Sequence, residues 1–367
     1  MVKSKQISLE ILRSLGINEV IIFGLRQQNH THHYIHKSLY KAFSAIVEGY
    51  DYINVSWKDN TILEGDIPRN KLYISYTVPG YYDNNIPLGK DNYYLVHGTS
   101  GATSTRYIDD IFERTLFFDE FRGDPNAPVR LAQNHVFQHL VKNRPAAEAD
   151  FLPASGDRDL PFEYFSKSTR TLVTAWATDL LPGEIDQALA GIPKLASKQQ
   201  ANENVVFVGS VWHRNIAELG ELVGACVSEG LRLQIYGGCI DREFIRNYGH
   251  QADIIEGAVS DEEARKLTGE ARIAPSIQGA GQIGYYIPCR IFKNGSYGSA
   301  LVSNNRLITS IFGSDCIIDR NISSLIRSSL NDTRINDADY LSSVMQDIAQ
   351  KHTYFNRIET MLRHLVQ

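Results

Sequence analysis

Cysteine is scarce: the 367 residues hold four, Cys226, Cys239, Cys289 and Cys316, and no two are spaced as CxxC. That excludes the common zinc-ribbon and thioredoxin patterns and argues against a disulfide-stapled scaffold. No apolar run approaches the ~20 residues needed to cross a bilayer. The opening stretch MVKSKQISLEILRSLG lacks the apolar centre of a secretory signal. Positive charge is not in excess either. With 37 basic and 42 acidic residues the net charge is −5, so no global field grips a polyanion and nucleic acid is not an expected partner. No GxxxxGK[ST] occurs, which removes P-loop chemistry. These absences point to a globular, cytoplasmic protein.

A hydrophobic content of 43% and a charged content of 22% suit a folded chain. Its length exceeds what one core usually supports, so two domains are expected. The second half alternates regularly. NVVFVGS (204–210) reads as a buried parallel strand ending at glycine. Asn215-Ile-Ala-Glu218 then forms a capping-box pattern ahead of apolar residues at helical spacing. RLQIY (232–236), Ile254–Ile255, RIAPS (272–276) and ALVSN (300–304) read as further strands. Asp241 and Ser260-Asp-Glu-Glu263 start the intervening helices. Strands and helices at this pitch make βαβ units in a parallel sheet.

The first half begins alike, with strands in INEVIIFGL (17–25), YINVSW (52–57), KLYISYTV (71–78) and YYLV (93–96), and a helix over 36–50. TLVTAWA (171–177) looks like its last strand. The pattern assigns 1–182 to a first domain, 183–203 to a polar hinge, and 204–336 to a second domain. From 337 to 367 it reads as one long helix returning toward the first domain.

Open parallel sheets bind ligands beyond the carboxyl ends of their strands. Three segments of the second half lie there. Gly209-Ser210-Val-Trp-His-Arg214 precedes a helix start, where free N–H groups and an arginine suit a phosphate. Gly257-Ala-Val-Ser260 suits backbone contact with a base. The third, QGAGQIG (278–284), matches GxGxxG but comes late in the domain, and the next strand ends in Asn304-Asn305 rather than an acid. Its glycines permit close approach to a ligand and lead to Tyr285, Tyr286, Arg290, Lys293 and Asn294. Arg290 and Lys293 stand three apart on one helical face, able to clamp a diphosphate or to sit solvated.

In the first half, Arg26–Lys37 follows the first strand and holds His30, His32, His33 and His36. A histidine here could be a general base, His32 and His36 could share a metal, or the cluster could be polar lining. His97 and Asp179, each after a strand, are further base candidates.

In order and pattern, FVGSVWHRN, LQIYGG, IIEGAVSDEEARKL, IAPSIQ and IPCRIFKNGSYGSALVSN resemble the GT-B glycosyltransferases over about residues 204–310. That resemblance implies two Rossmann-like domains facing each other across a cleft, with the last helix crossing back. The C-terminal domain would take the nucleotide-sugar donor and the N-terminal domain a glycan or glycolipid acceptor. Carried onto this chain, it puts Gly209, Ser210 and Arg214 on the donor phosphates and Gly257 to Ser260 beside the base. Tyr286, Arg290, Lys293 and Asn294 fall on the helix facing ribose and diphosphate. Many retaining members carry two glutamates around that helix; here Tyr285 and Lys293 stand near those places. The resemblance implies a nucleotide sugar as co-substrate and no bound metal, with His33, His36 or His97 as base. It admits peripheral contact with a membrane surface, although no basic amphipathic stretch demands it. An epimerase on the same scaffold and a non-catalytic sugar-nucleotide binder are the rival readings.

Overall fold

Strings of β-branched and aromatic residues set the two sheets of this protein, seen in a computed structural model. The structure describes residues 3–23, 31–58, 68–75, 89–97, 111–121, 151–154, 156 and 162–367, with residues 31–33 as backbone only. The chain divides into two compact units, residues 1–176 with 354–367, and residues 177–353.

The first unit is built on an eight-stranded sheet in the order β2-β1-β3-β4-β5-β8-β7-β6. Its strands are β1 (Glu19–Phe23), β2 (Asn54–Lys58), β3 (Lys71–Ser75), β4 (Tyr93–His97), β5 (Thr115–Glu120), β6 (Phe151–Pro153), β7 (Tyr164–Ser166) and β8 (Thr171–Thr174). The first six in that order run parallel, and β7 pairs antiparallel with both β8 and β6. Helices α1 (Lys3–Ser14) and α2 (Thr31–Val47) belong here. So does the final helix, Tyr354–Leu365, which packs beside both. A fully buried ion pair ties that helix to the sheet. Arg357 Nη1 lies 3.2 Å from Glu163 Oε1, and Arg357 Nε donates to the Ala175 carbonyl at 2.6 Å. The Glu163 carboxylate also accepts from Thr174 and Thr360, so its lone pairs are matched, as a buried charge requires.

The second unit contains α3 (Pro182–Leu189), α4 (Ile192–Gln200), β9 (Asn204–Val208), α5 (Ile216–Ser228), β10 (Arg232–Gly237), α6 (Arg242–Tyr248), β11 (Asp253–Glu256), α7 (Asp261–Glu270), α8 (Cys289–Ser296), β12 (Leu301–Ser303), α9 (Thr309–Phe312), β13 (Cys316–Ile318), α10 (Ile322–Asn331) and α11 (Ala338–Lys351). The final helix of the chain is therefore α12. Strands β11, β10 and β9 pair in that order, as do β12 and β13. Residues 272–276 link the two sets by parallel bridges, Val205 to Ile273 and Ser276 to Ser303. Lined up by place in the chain, the six segments run third, second, first, fourth, fifth, sixth, which is the Rossmann order.

Two expectations need correction. Residues 183–203 are not an irregular hinge: α3 and α4 fill most of the stretch, burying Ile185, Ile192 and Ala196. The tail from 337 is not one helix. It breaks at His352–Thr353, where Thr178 N–H donates to the His352 carbonyl and Thr178 bridges Thr353. The His352 ring packs on Phe292 and Phe312. Burial of those two residues outweighs continuation of the helix, and only α12 joins the first unit. No described helix is long and apolar enough to cross a membrane.

Candidate functional site

In the second unit the sheet reverses direction of growth between β9 and residues 272–276, and Arg290 lies across that switch point. Pro288 stands in extended conformation before α8, which places Arg290 in its first turn. The guanidinium donates from Nε to the Val208 carbonyl at 3.0 Å, at the end of β9. It donates from Nη1 to the Ile277 carbonyl at 3.4 Å, at the end of the neighbouring segment. Its carbon lies 4.1 Å from the centre of the Phe207 ring, a cation–π stack. Burial lowers its pKa from the usual arginine value, yet a guanidinium stays charged at neutral pH. Among the described residues no carboxylate pairs with it, whereas Arg232, Arg334 and Arg357 each have one. Gly209 makes room for the side chain, since a Cβ there would overlap Nη2 of Arg290.

The loops beyond β9, β10 and β11 close around the same point. Gly209 N–H donates to the Tyr236 carbonyl, Gly257 N–H to that of Gly237, and Val211 N–H to that of Cys239. Ser210 lies in the first of these loops, half-buried. Asn215 precedes α5 but does not cap it. Its side chain accepts from Trp212 N–H and donates to the Ser210 carbonyl, so no side chain caps the first turn. Glu218 does not complete a capping box either; its carboxylate accepts the Ala280 N–H at 2.5 Å. The loop geometry wins because Asn215 meets two groups of its own turn before it can reach the helix. The N–H groups opening α5 are therefore left without a side-chain cap, with Arg214 exposed beside them.

The other residues singled out by sequence take more local partners. Lys293 meets a carboxylate. Its Nζ lies 3.9 Å from Asp179 Oδ1, which also accepts from the Tyr297 hydroxyl at 2.6 Å. Burial, reinforced by Asp179, holds the Tyr297 phenol well above its ordinary pKa, so it remains the donor. Asn294 donates to the Ala274 carbonyl at 2.7 Å. Ser260 caps α7 by accepting from Glu263 N–H, as its capping-box pattern foretold, and Gly257 lies exposed with positive φ. Tyr286 contributes its carbonyl, which accepts from Asn305 and Gln278. Those amides, with Asn304, hold the glycine-rich loop, and sequence reading passed over them. The available signal was a pair of adjacent amides closing a strand beside a glycine-rich turn.

In the first unit, His36 and His97 come together. His97 Nδ1 lies 3.3 Å from His36 Nε2, with both rings almost fully buried. Phe118 stacks on His97, and Trp176 meets it edge-on, both at 5.0 Å between ring centres. Which ring donates and which accepts depends on the tautomer. The side chains of His32 and His33 lie outside the described residues, as does His30. Among the described residues no group of three or more His, Cys, Asp or Glu side chains is placed to hold a metal ion.

Neither a protein-family model nor a curated protein sequence matches this chain. Solved structures do. The catalytic domain of starch synthase IV from Arabidopsis thaliana, bound to ADP and acarbose, aligns with a TM-score of 0.54 at 6% identity. It covers 96% of this chain and 100% of that one. AviGT4, a glycosyltransferase involved in avilamycin A biosynthesis, aligns at 0.52 and 13% identity over 95% and 98% of the two chains. HepE from Anabaena, in complex with UDP and glucose, aligns at 0.50 and 12% over 93% and 96%. The chain has the GT-B fold, with two Rossmann-like domains, as the resemblance in its sequence implied.

Proposed function

We propose, with that fold as premise, that this protein is a glycosyltransferase moving a sugar from a nucleotide-sugar donor to a hydroxyl of a glycan or glycoconjugate. One observation carries the reading: the half-buried guanidinium of Arg290 lies across the switch point of a Rossmann sheet, with no carboxylate partner among the described residues. A half-buried cation held against two carbonyls and an aromatic ring suits an anion. The uncapped start of α5 and the exposed Arg214 add partial and full positive charge beside it. A diphosphate satisfies all three. The structural neighbours bound to ADP or in complex with UDP support the same choice.

On this reading the bond between the sugar's anomeric carbon and the diphosphate oxygen breaks as the acceptor oxygen bonds to that carbon. Arg290 and the α5 amides stabilise the negative charge on the departing nucleoside diphosphate, where preorganised dipoles act most strongly. They supply the neutralisation a divalent ion would otherwise give, so the donor is a co-substrate and no metal has a role. The acceptor belongs to the first unit. There the His36–His97 pair is the candidate base, and whichever ring nitrogen carries the lone pair takes the hydroxyl proton.

The test begins with calorimetric titration of UDP and ADP, followed by nucleoside diphosphate release from UDP-glucose and ADP-glucose with and without sugar acceptors. Acceptor-dependent release is expected. Arg290→Ala should weaken nucleotide binding by ~10–100-fold, the loss of charged hydrogen bonds, with an unchanged circular dichroism spectrum. Equal affinity in that variant would refute the phosphate role. Donor conversion without release would favour an epimerase, and binding without turnover a non-catalytic protein.

A further inference from the structure

We infer that Asn305 is a positioning residue for the transferred sugar, acting through the glycine-rich loop 279–286; the inference rests on the glycosyltransferase reading of this site. Asn305 follows β12 and is fully buried. Its Oδ1 accepts from the N–H groups of Gly284 and Leu307, both at 3.0 Å. Its Nδ2 donates to Gln278 Oε1 at 2.6 Å and to the Tyr286 carbonyl at 2.8 Å. An asparagine amide offers two donor hydrogens and two acceptor lone pairs, and all four are engaged. No capacity is left for a ligand, so Asn305 acts only by where it holds the loop.

The neighbouring amides complete the clamp. Gln278 Nε2 reaches the same Tyr286 carbonyl at 3.3 Å. Asn304 brackets the Gln278 backbone, accepting its N–H at 2.9 Å and donating to its carbonyl at 2.7 Å. The front of the loop is stapled separately. Gly279 packs so closely on the Arg214 carbonyl that a Cβ would overlap it, and Ala280 N–H is taken by Glu218.

Between the two staples lies Gly281, exposed and with open space where a side chain would extend. Ile277, just ahead of the loop, accepts from Arg290. The loop thus starts two residues after a partner of the proposed diphosphate contact, Arg290, and its open middle borders the next group along the ligand. With the base assigned to the Gly257–Ser260 side, beyond β11 at the far edge of the sheet, that next group is the sugar. A buried amide network with every bond made holds the backbone firmly, whereas one lost donor leaves the Tyr286 carbonyl and the Gln278 amide oxygen short.

The experiment uses full-length protein and compares wild type with Asn305→Asp, which keeps size and the Oδ1 acceptor but removes both Nδ2 donations. UDP or ADP affinity, kcat for sugar transfer, and the share of donor lost to water are measured together with the melting temperature. Expected are a nucleotide Kd within ~3-fold of wild type, a kcat lowered by ~10²-fold through misplacement of the reacting carbon, and a larger hydrolysed share. If Asn305→Asp fails to fold, Gln278→Glu removes one donation to the same Tyr286 carbonyl and should show the same split. Parallel losses in Kd, kcat and melting temperature would reduce Asn305 to a structural role and overturn the inference. Failure of the underlying reading appears differently: the wild type itself would neither bind nor release nucleotide, and the inference would fall with it.

Discussion

A methyl group at residue 209 would collide with Nη2 of Arg290. Gly209→Ala must therefore push the guanidinium off the Val208 carbonyl or move the loop that follows β9. The expected result is nucleotide affinity reduced ~10-fold or more, the worth of about one charged hydrogen bond, with the second unit still folded by far-ultraviolet circular dichroism. Wild-type affinity in this variant would mean that Arg290 does not hold the anion. Gly209 and Arg290 were legible in sequence because a strand ending in glycine and a cation opening a helix each have a local cause. Lys293 was not. Its spacing put it on one face with Arg290, but Asp179, remote in sequence, brings a carboxylate to it. Glu218 misled for the same reason, since the Ala280 N–H that claims it lies 62 residues away. The histidines divide similarly: His36 and His97 were each proposed alone, and only the fold of β4 against α2 makes them a pair.

Strands with continuous apolar runs, β1, β3, β4, β9 and β10, were legible from their residues, as were the capped starts of α6 and α7. Strands β5, β6, β7 and β13 were not assigned. The first three fall among loops rich in Gly, Pro and Asp, and β6, β7 and β13 are three residues each, too short for a period to register. RIAPS is an intermediate case: it joins the sheet by two bridges, with Ala274 accepting instead from Asn294. Helix α12 looked amphipathic, yet nearly all its residues are buried, because polar ones such as Arg357 and Thr360 find partners just past β8 and beside β7. Arg357→Met should destabilise the first unit by ~3–5 kcal/mol, since it strands the Glu163 charge. Adding Glu163→Leu should restore much of that loss in denaturant melts. A double variant no more stable than the single would show that the pair is not what secures α12.

The division of the chain was only partly legible. Two Rossmann-like halves follow from the alternation of strands and helices, but the crossings at Trp176 and Tyr354 carry no glycine or proline signal. They are set by tertiary partners, Arg357 on the Ala175 carbonyl in one unit and Thr178 on His352 in the other. Residues 183–203, read as a linker, hold α3 and α4, and the polar-looking α4 buries Ile192, Ala196 and Gln199. The fold, the strand order and the charge at the switch point all converge on the carboxyl edge of the second sheet. A crystal structure of the protein grown with UDP tests this most directly. The diphosphate should lie within hydrogen-bonding distance of Arg290 and the first N–H groups of α5, with Gly281 facing its distal phosphate. A nucleotide bound elsewhere, with Arg290 still held only by the Val208 and Ile277 carbonyls, would contradict it.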